Sequence, residues 1–348
     1  MAEKTSRLEY LDFLKGFAIF LVVMGHFLAW TFPPEVDRGY YPMLVKNAIY
    51  TFHMPLFFFV SGYLVDFKKK EWRFKTGLTL IWRRIVTLLL PGFAFFLLLF
   101  ARTGALYYEW FLKVLFEMCL VFALTKVFCH YVMKKVPLEM VVHAVVVGLL
   151  FFAKSKVSGT FFSETLSFSS FCNSYPYFLL GYVYCKFGWN EYVMSKKWIY
   201  SLCLILWGVI FFVAKDFSIP GSKYILAVSA IVACVKLSQD LNYEKKSLVV
   251  KKMIQWGKIS LAIYLVSPMI IPWFPELGLY FIKADAYEPF GNVTHSAHIT
   301  TVFLQVVAGV AISTYVCVIC AMIRKIVSRS PVLNLVFFGE RSNVKANG

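Results

Sequence analysis

Charged residues are scarce in this chain. Asp, Glu, Lys and Arg make up only 16% of its 348 residues, which is too few to cover the surface of a soluble protein of this size. Hydrophobic residues make up 59%, whereas soluble domains contain about 45–50%. The apolar excess is spread along the whole chain. The composition therefore excludes an ordinary soluble domain and predicts a polytopic integral membrane protein.

Several patterns are absent as well. Apolar and polar residues do not alternate with a period of two, so the spans are expected to be helices and the fold class all-α. No internal repeat, low-complexity tract or stretch long enough for a soluble domain is present, so residues 1–348 are predicted to form a single membrane domain. The first apolar run has no small-residue cleavage site behind it, so we expect it to be retained as a span.

The cysteines show no disulfide or metal-ligand pattern. Most lie inside apolar runs, where small packing residues are the favoured interpretation. Cys317 and Cys320 have a C-x-x-C spacing, but within a predicted membrane helix. We therefore expect no bound metal. The eight cysteines are Cys119, Cys129, Cys172, Cys185, Cys203, Cys234, Cys317 and Cys320.

Ten apolar spans are predicted, and basic residues concentrate in every second connecting segment. This bias places both termini in the cytoplasm and accounts for the net charge of +17 without a nucleic-acid partner. The predicted spans are 11–32, 45–66, 78–101, 109–133, 138–153, 171–187, 198–214, 223–238, 256–274 and 299–323.

Ionisable residues interrupt the first span. Asp12, Lys15 and His26 all lie in or beside it, and such residues are costly within lipid unless they serve a function. Eleven residues separate Lys15 from His26, which puts both on one helix face about 16 Å apart along the axis. Asp12 falls near the same face, so a polar track is predicted to run from the cytoplasmic end into the outer half of the membrane.

The second span carries His53 at a depth similar to that of His26. Consecutive antiparallel helices usually pack together, so the two imidazoles are predicted to share one intramembrane site. Neutral imidazole suits general base catalysis near physiological pH. The alternative is that each histidine only bonds to a neighbouring helix.

Two further groups have open interpretations. Ser61 and Gly62 are small residues within an aromatic run, and they serve either close helix packing or a gap for a thin ligand. Arg83 and Arg84 at the entry of the third span bind phosphates or follow the positive-inside rule. No glycine-rich phosphate loop of either common pattern is present, so a nucleotide-derived ligand would depend on these side chains.

Several stretches resemble the acyltransferase-3 family of integral membrane O-acyltransferases, in the branch of fucose 4-O-acetylase-like proteins. "YLDFLKGFAIFLVVMGH" (10–26) and "FHMPLFFFVSGYL" (52–64) resemble its first two helices, and "WRRIVTLLLP" (82–91) its entry to the third. "WFLKVLF" (110–116), "YPYFLLGY" (175–182) and "GKISLAIYLVSP" (257–268) resemble later family landmarks. Many members have Arg where Lys15 stands, His where Ser267 stands and Glu where Leu115 stands, and Glu117 is a candidate substitute for the last.

The resemblance implies an enzyme that moves an acetyl or other acyl group from cytoplasmic acyl-CoA to a hydroxyl of a cell-envelope carbohydrate or lipid-linked sugar. His26 would be the base or acyl-relay residue, with His53 beside it. Lys15 would support the donor or the developing charge, and Arg83 and Arg84 would face the coenzyme A phosphates. The expected location is the cytoplasmic membrane of a bacterium.

A second function class fits the same polar track. A proton-coupled transporter or flippase of a polar or lipid-linked substrate also uses intramembrane His, Lys and Asp. Inverted repeats or paired broken helices would favour transport, and the sequence shows neither. A receptor or structural membrane protein would not need the aligned polar residues. The sequence leaves open whether the chain forms a homo-oligomer.

Overall fold

Helices are the only regular secondary structure in the described part of the chain. The computed structural model describes residues 2–31, 44–68, 71–104, 110–132, 136–157, 159–189, 196–213, 219, 221–241, 243–271 and 295–340. Every regular element within these residues is a helix, which confirms the all-α prediction. Helices satisfy their own backbone polar groups, as a segment surrounded by lipid must.

The helices follow the apolar runs of the sequence, with turns at the polar segments. One stretch, Ile85–Leu89, is π-helical and joins two α-helices without a break. The α-helices are α1 (Ala2–Thr31), α2 (Leu44–Tyr50), α3 (His53–Val65), α4 (Phe74–Arg84), α5 (Leu90–Thr103), α6 (Trp110–Val132), α7 (Val136–Val157), α8 (Phe161–Thr165), α9 (Phe168–Lys186), α10 (Lys197–Val213), α11 (Ser222–Asp240), α12 (Leu248–Lys258), α13 (Ser260–Ile270), α14 (His295–Val327) and α15 (Pro331–Phe338).

Six helical stretches among the described residues are long and apolar enough to cross a membrane. The bent pair α12 and α13, whose axes meet at 90°, is a further candidate if it counts as one span. The six are Glu9–Trp30, Leu44–Val65, Phe74–Thr103, Leu138–Val157, Ser222–Asp240 and Gln305–Val327. The structure thus describes a protein with several membrane-spanning helices, while the number ten and the cytoplasmic termini stay predictions.

Each of the ten predicted spans overlaps one or more helices. Four of these spans are not covered by a single helix that is long and apolar enough to cross a membrane. These four are 109–133 and 171–187, which contain ionisable and polar residues, the short 198–214, and the bent 256–274. Conversely, the short predicted spans 138–153 and 223–238 belong to longer helices than the apolar pattern indicates. The span ends at 32, 109, 133, 214 and 272–274 lie outside the described residues.

The chain divides into two compact units. One comprises Met1–Phe57 with Glu191–Arg324, and the other Phe58–Asn190 with Lys325–Gly348. In the first unit α1 packs mainly on α12, and α10 packs on α11. In the second unit α4 packs on α6, α7 and α6 on α9, and α15 on α5. The prediction that residues 1–348 act as one domain is not tested by this division.

Glycines set the closest helix contacts in both units. A Cβ atom added to Gly16 would lie 1.8 Å from the carbonyl oxygen of Met253, and one added to Gly257 would lie 1.8 Å from that of Asp12. In the second unit a Cβ atom at Gly181 would lie 1.9 Å from the carbonyl oxygen of Phe59. Small residues let helix backbones approach this closely, which is how helices associate without a hydrophobic driving force in lipid.

Replacing Gly181 with alanine is expected to destabilise the fold. The added methyl group meets a backbone carbonyl that cannot move without shifting α3, so the substitution costs about 2 kcal/mol or more. Thermal unfolding in detergent measures the loss. Gly148→Ala on α7 is the matched control, because nothing lies within 4 Å of the added Cβ atom. Equal melting temperatures for the two variants would contradict the close-packing interpretation.

Candidate functional site

The polar track on the first helix is present in the structure. Helix α1 is continuous from Ala2 to Thr31, so the spacing predicted between Lys15 and His26 holds. Lys15 Nζ lies 2.7 Å from Asp12 Oδ1, and these side chains keep 25% and 19% of their surface exposed. The ammonium group is therefore partly neutralised by its neighbour one turn away, while it remains accessible to a ligand.

The His26 ring is held by stacking. It lies parallel to the Trp30 ring, with centroids 4.6 Å apart. Its Nδ1 is buried without a hydrogen-bond partner, although the residue as a whole is only half-buried. The residue therefore keeps part of its surface accessible.

The His53 ring has a defined tautomer. Helix α2 ends at Tyr50, and α3 begins at His53 with Pro55 in its first turn, a position that tolerates the missing N–H group. The carbonyl oxygen of Ile49 at this break lies 2.8 Å from His53 Nδ1. Since a carbonyl oxygen only accepts, Nδ1 carries the proton and donates it, which leaves the lone pair on Nε2.

The two imidazoles lie in the same unit and close enough to interact electrostatically. Tyr50 contacts both segments, because its ring centroid lies 4.9 Å from that of His53 and a Cβ atom added to Gly25, the residue before His26, would come within 2.9 Å of its Cε2. The structure thus brings His26 and His53 together, as their matched depths predict. Their catalytic roles stay predictions.

A residue larger than glycine at position 25 is expected to displace Tyr50. Gly25→Ala places a methyl group against the edge of the Tyr50 ring. Because this ring can move, we expect only a small loss of stability. The displaced ring should change the surroundings of the His53 imidazole, which it contacts. Histidine ring NMR signals in labelled protein would report that change. The signals of His130, at the exposed end of α6, should not move. Unchanged His53 signals would contradict the contact.

The predicted gap beside Gly62 is filled by protein. A Cβ atom there would lie 1.8 Å from the carbonyl oxygen of Phe178, so the backbone of α9 occupies the space that the missing side chain leaves. This contact favours the helix-packing interpretation of Gly62. Ser61 is half-buried one position earlier on α3. A substrate-binding role for either residue stays a prediction.

The two arginines at the end of α4 have different environments. Arg83 is exposed, whereas Arg84 is half-buried and hydrogen-bonds the buried thiol of Cys119 on α6. Arg84 Nε is buried without an acceptor, and among the described residues the guanidinium has no carboxylate partner. The π-helical stretch that follows is a local irregularity of the kind often found at functional sites. Arg84 therefore keeps capacity for an anion.

Two positions at which the sequence differs from many family members involve buried polar groups, Ser267 and Glu117. Ser267 on α13 is fully buried, and its hydroxyl has no hydrogen-bond partner among the residues that the structure describes. Glu117 on α6 interacts electrostatically with Lys113 one turn earlier, and its Oε1 is buried without a partner.

Sequence reasoning missed a charged cluster in the second unit, which we call the Glu139 cluster. Its members are Glu139 on α7, Lys126 on α6, Lys186 and Tyr182 on α9, and Asp66 after α3. The Glu139 carboxylate forms ion pairs with the ammonium groups of Lys126, at 2.9 Å, and Lys186, at 2.8 Å. The Tyr182 hydroxyl donates a hydrogen bond to the same carboxylate. Trp72 Nε1 donates to Asp66 at 2.9 Å. The sequence signals were Lys126 and Glu139, which are charged residues inside the predicted spans 109–133 and 138–153.

The Glu139 cluster balances two lysines against two carboxylates, so we interpret it as a structural connection between α3, α6, α7 and α9. Glu139→Gln removes one charge and leaves the buried ammonium group of Lys126 and the half-buried one of Lys186 underpaired, which should cost about 3 kcal/mol or more. Chemical unfolding in detergent measures the loss. Glu71→Gln is the matched control, because its ion pair with Arg73 is exposed and should contribute less than about 1 kcal/mol. Similar losses in both variants would refute the interpretation.

Among the described residues, no three His, Cys, Asp or Glu side chains come together as a metal site. Comparison with known proteins identifies the chain instead. Residues 8–322 match the family model of an acyltransferase domain. The chain belongs to the acyltransferase-3 family. The match extends through parts of both compact units.

Two relatives of this acyltransferase carry the same name, nodulation protein NolL. The protein from Mesorhizobium japonicum is 24% identical over 328 residues, which is 86% of this chain and 83% of the relative. The protein from Sinorhizobium fredii is 47% identical over 55 residues, which is 16% of this chain and 15% of the relative. No solved structure matches the chain. The family and the apolar helices together establish a membrane acyltransferase.

Proposed function

We propose that this acyltransferase moves an acetyl group from cytoplasmic acetyl-CoA to a hydroxyl of a cell-envelope carbohydrate or lipid-linked sugar, with His26 as the base. The observation that carries the proposal is the pair of neighbouring imidazoles in a chain of the acyltransferase-3 family. His53 has a fixed tautomer, and His26 is half-buried on the neighbouring helix. Such an arrangement suits proton transfer to and from a reacting hydroxyl.

In the proposed reaction His26 Nε2 accepts the proton of the acceptor hydroxyl as its oxygen attacks the thioester carbonyl. A new ester C–O bond forms, the C–S bond breaks, and the proton leaves with the sulfur as the free thiol of coenzyme A. His53, whose Nε2 also holds a lone pair, stabilises the protonated form of its neighbour. The apolar surroundings limit hydrolysis of the thioester by water.

The donor phosphates require cations, and Arg84 is the best-supported candidate. A half-buried guanidinium that has no carboxylate partner within the described ranges is available for charge-assisted hydrogen bonds to an anion. Arg83 is exposed and would contribute through less specific attraction. Lys15 is also accessible, but its pairing with Asp12 reduces its net charge toward a donor.

The acceptor and the location belong to the proposal as well. The resemblance to fucose 4-O-acetylase-like proteins supports a sugar hydroxyl in the envelope of a bacterium. Membrane lipid surrounds the helices, and self-association into a homo-oligomer is a further proposal. A proton-coupled transporter would use similar intramembrane groups, but membership of an acyltransferase family favours the enzyme.

Transfer of label from radioactive acetyl-CoA to bacterial envelope extract tests the proposal. We expect label in a carbohydrate-containing product with wild-type protein in liposomes, and none with heat-inactivated protein. His130→Ala should transfer label at the wild-type rate, because His130 is exposed at the end of α6. Absence of transfer with acetyl-CoA and with longer acyl-CoA donors would contradict the proposed function and favour transport.

A further inference from the structure

Helix α12 has one face packed in the protein and one face open. Val250, Ile254, Trp256 and Gly257 are buried, and the helix contacts α1 where Gly16 approaches Met253. Ser247 caps the helix by accepting the amide of Val250. The open face begins with Leu248 and Val249, which are 72% and 63% exposed. Two large aliphatic side chains at such exposure are unfavourable in water.

The position of α12 along the first span follows from its contacts. Lys246, just before the helix, forms an ion pair with Glu9 at 2.6 Å, and Glu9 is the first residue of the apolar stretch of α1. Met253 lies beside Gly16, two turns farther along α1. Residues 248–252 therefore lie level with the end of the first span, where apolar chain gives way to the headgroup region of a membrane.

Basic residues accompany the two aliphatic side chains. Lys251 and Lys252 are exposed, and neither makes an ion pair or side-chain hydrogen bond within the described part of the chain. At about 100° per residue, Val249 and Lys251 lie on opposite flanks of the open face, with Leu248 between them. Lys252 falls between Leu248 and Val249, so aliphatic tips and ammonium groups alternate around the open face. A face that mixes both kinds of group fits the boundary between acyl chains and phosphates, where long lysine side chains can reach the headgroups.

We propose that residues 248–252 of α12, together with the ammonium groups of Lys251 and Lys252, form a binding site for the headgroup of an anionic membrane lipid. The lysines pair with the headgroup phosphate, and Leu248 and Val249 contact the upper part of its acyl chains. Charge complementarity selects anionic over zwitterionic lipid. The aliphatic pair favours a lipid over a soluble anion such as the donor. This site does not depend on the proposed acyl transfer.

Native mass spectrometry of the full-length protein in detergent, titrated with phosphatidylglycerol or phosphatidylcholine, tests the site. We expect the first phosphatidylglycerol to bind wild type at least tenfold more tightly than it binds K251Q/K252Q, since each lysine near an anionic surface contributes a several-fold gain. Phosphatidylcholine should bind both proteins equally. K251R/K252R should retain the preference, and L248S/V249S should weaken binding of both lipids.

K325Q/R329Q is the matched control, because it removes two other exposed basic residues near the end of α14. It should bind phosphatidylglycerol as wild type does. An equal loss in this control would assign the effect to net charge and overturn the proposal, as would unchanged binding in K251Q/K252Q. A raised donor KM in K251Q/K252Q with unchanged lipid binding would assign the lysines to the donor and overturn it too. Matching melting temperatures exclude unfolding as the cause.

Discussion

His26→Ala is expected to reduce the rate of acyl transfer by about a thousandfold, within the range that a general base contributes. The variant removes the only group that the proposal places on the acceptor proton, but it removes no donor contact. We therefore expect the loss in kcat, with donor binding close to that of wild type. Single-turnover transfer from labelled acetyl-CoA, measured beside equilibrium binding of coenzyme A, separates the two effects.

The same measurement on other histidines makes the His26 result specific. His53→Ala should lose less activity than His26→Ala, because His53 acts through its neighbour. His143→Ala removes a buried histidine of the second unit and should affect stability rather than the chemical step. A His26→Ala enzyme that transfers label at the wild-type rate would remove His26 from the mechanism. So would a loss explained entirely by weaker donor binding.

Arg84→Gln is expected to raise the KM for acetyl-CoA by between about 10- and 100-fold, the range of a lost charge-assisted hydrogen bond. The reason is that Arg84 is half-buried, has an unpaired Nε and has no carboxylate partner among the described residues. The value of kcat at saturating donor should change little. Initial rates over a range of donor concentrations measure both constants.

Arg83→Gln is the matched control for Arg84. It removes the same charge from the neighbouring exposed position, where water and salt screen the interaction, so we expect a change in KM of less than about fivefold. Equal changes in KM for the two substitutions would contradict the proposal that the half-buried Arg84, and not the exposed Arg83, binds the donor phosphates. A fall in kcat without a change in KM would place Arg84 at the reacting atoms instead of the phosphates.

Local properties of the sequence predicted the helices and the first polar track well. Hydropathy and the absence of a two-residue period require helices in lipid, and the constant rise of a helix fixes the separation of Lys15 and His26. The antiparallel order of consecutive helices also predicted that His26 and His53 lie together. These inferences need only neighbours along the chain, which is why they could be made without a structure.

The features that sequence reasoning missed depend on contacts between distant segments. The Glu139 cluster joins residues of four elements, and the pairing of its charges becomes visible only when α6, α7 and α9 are packed together. The choice between a gap and a contact at Gly62 likewise depends on α9. The different environments of Arg83 and Arg84 depend on Cys119 of α6. Tertiary packing decides each of these points.

A cryo-electron microscopy structure of the protein with a non-hydrolysable acetyl-CoA analogue tests the central claim most directly. The proposed mechanism predicts the acyl group beside His26, with Nε2 within hydrogen-bonding reach, about 3 Å, of the position of the attacking oxygen. An analogue bound elsewhere, with the His26 ring facing lipid and separated from the thioester, would contradict the mechanism.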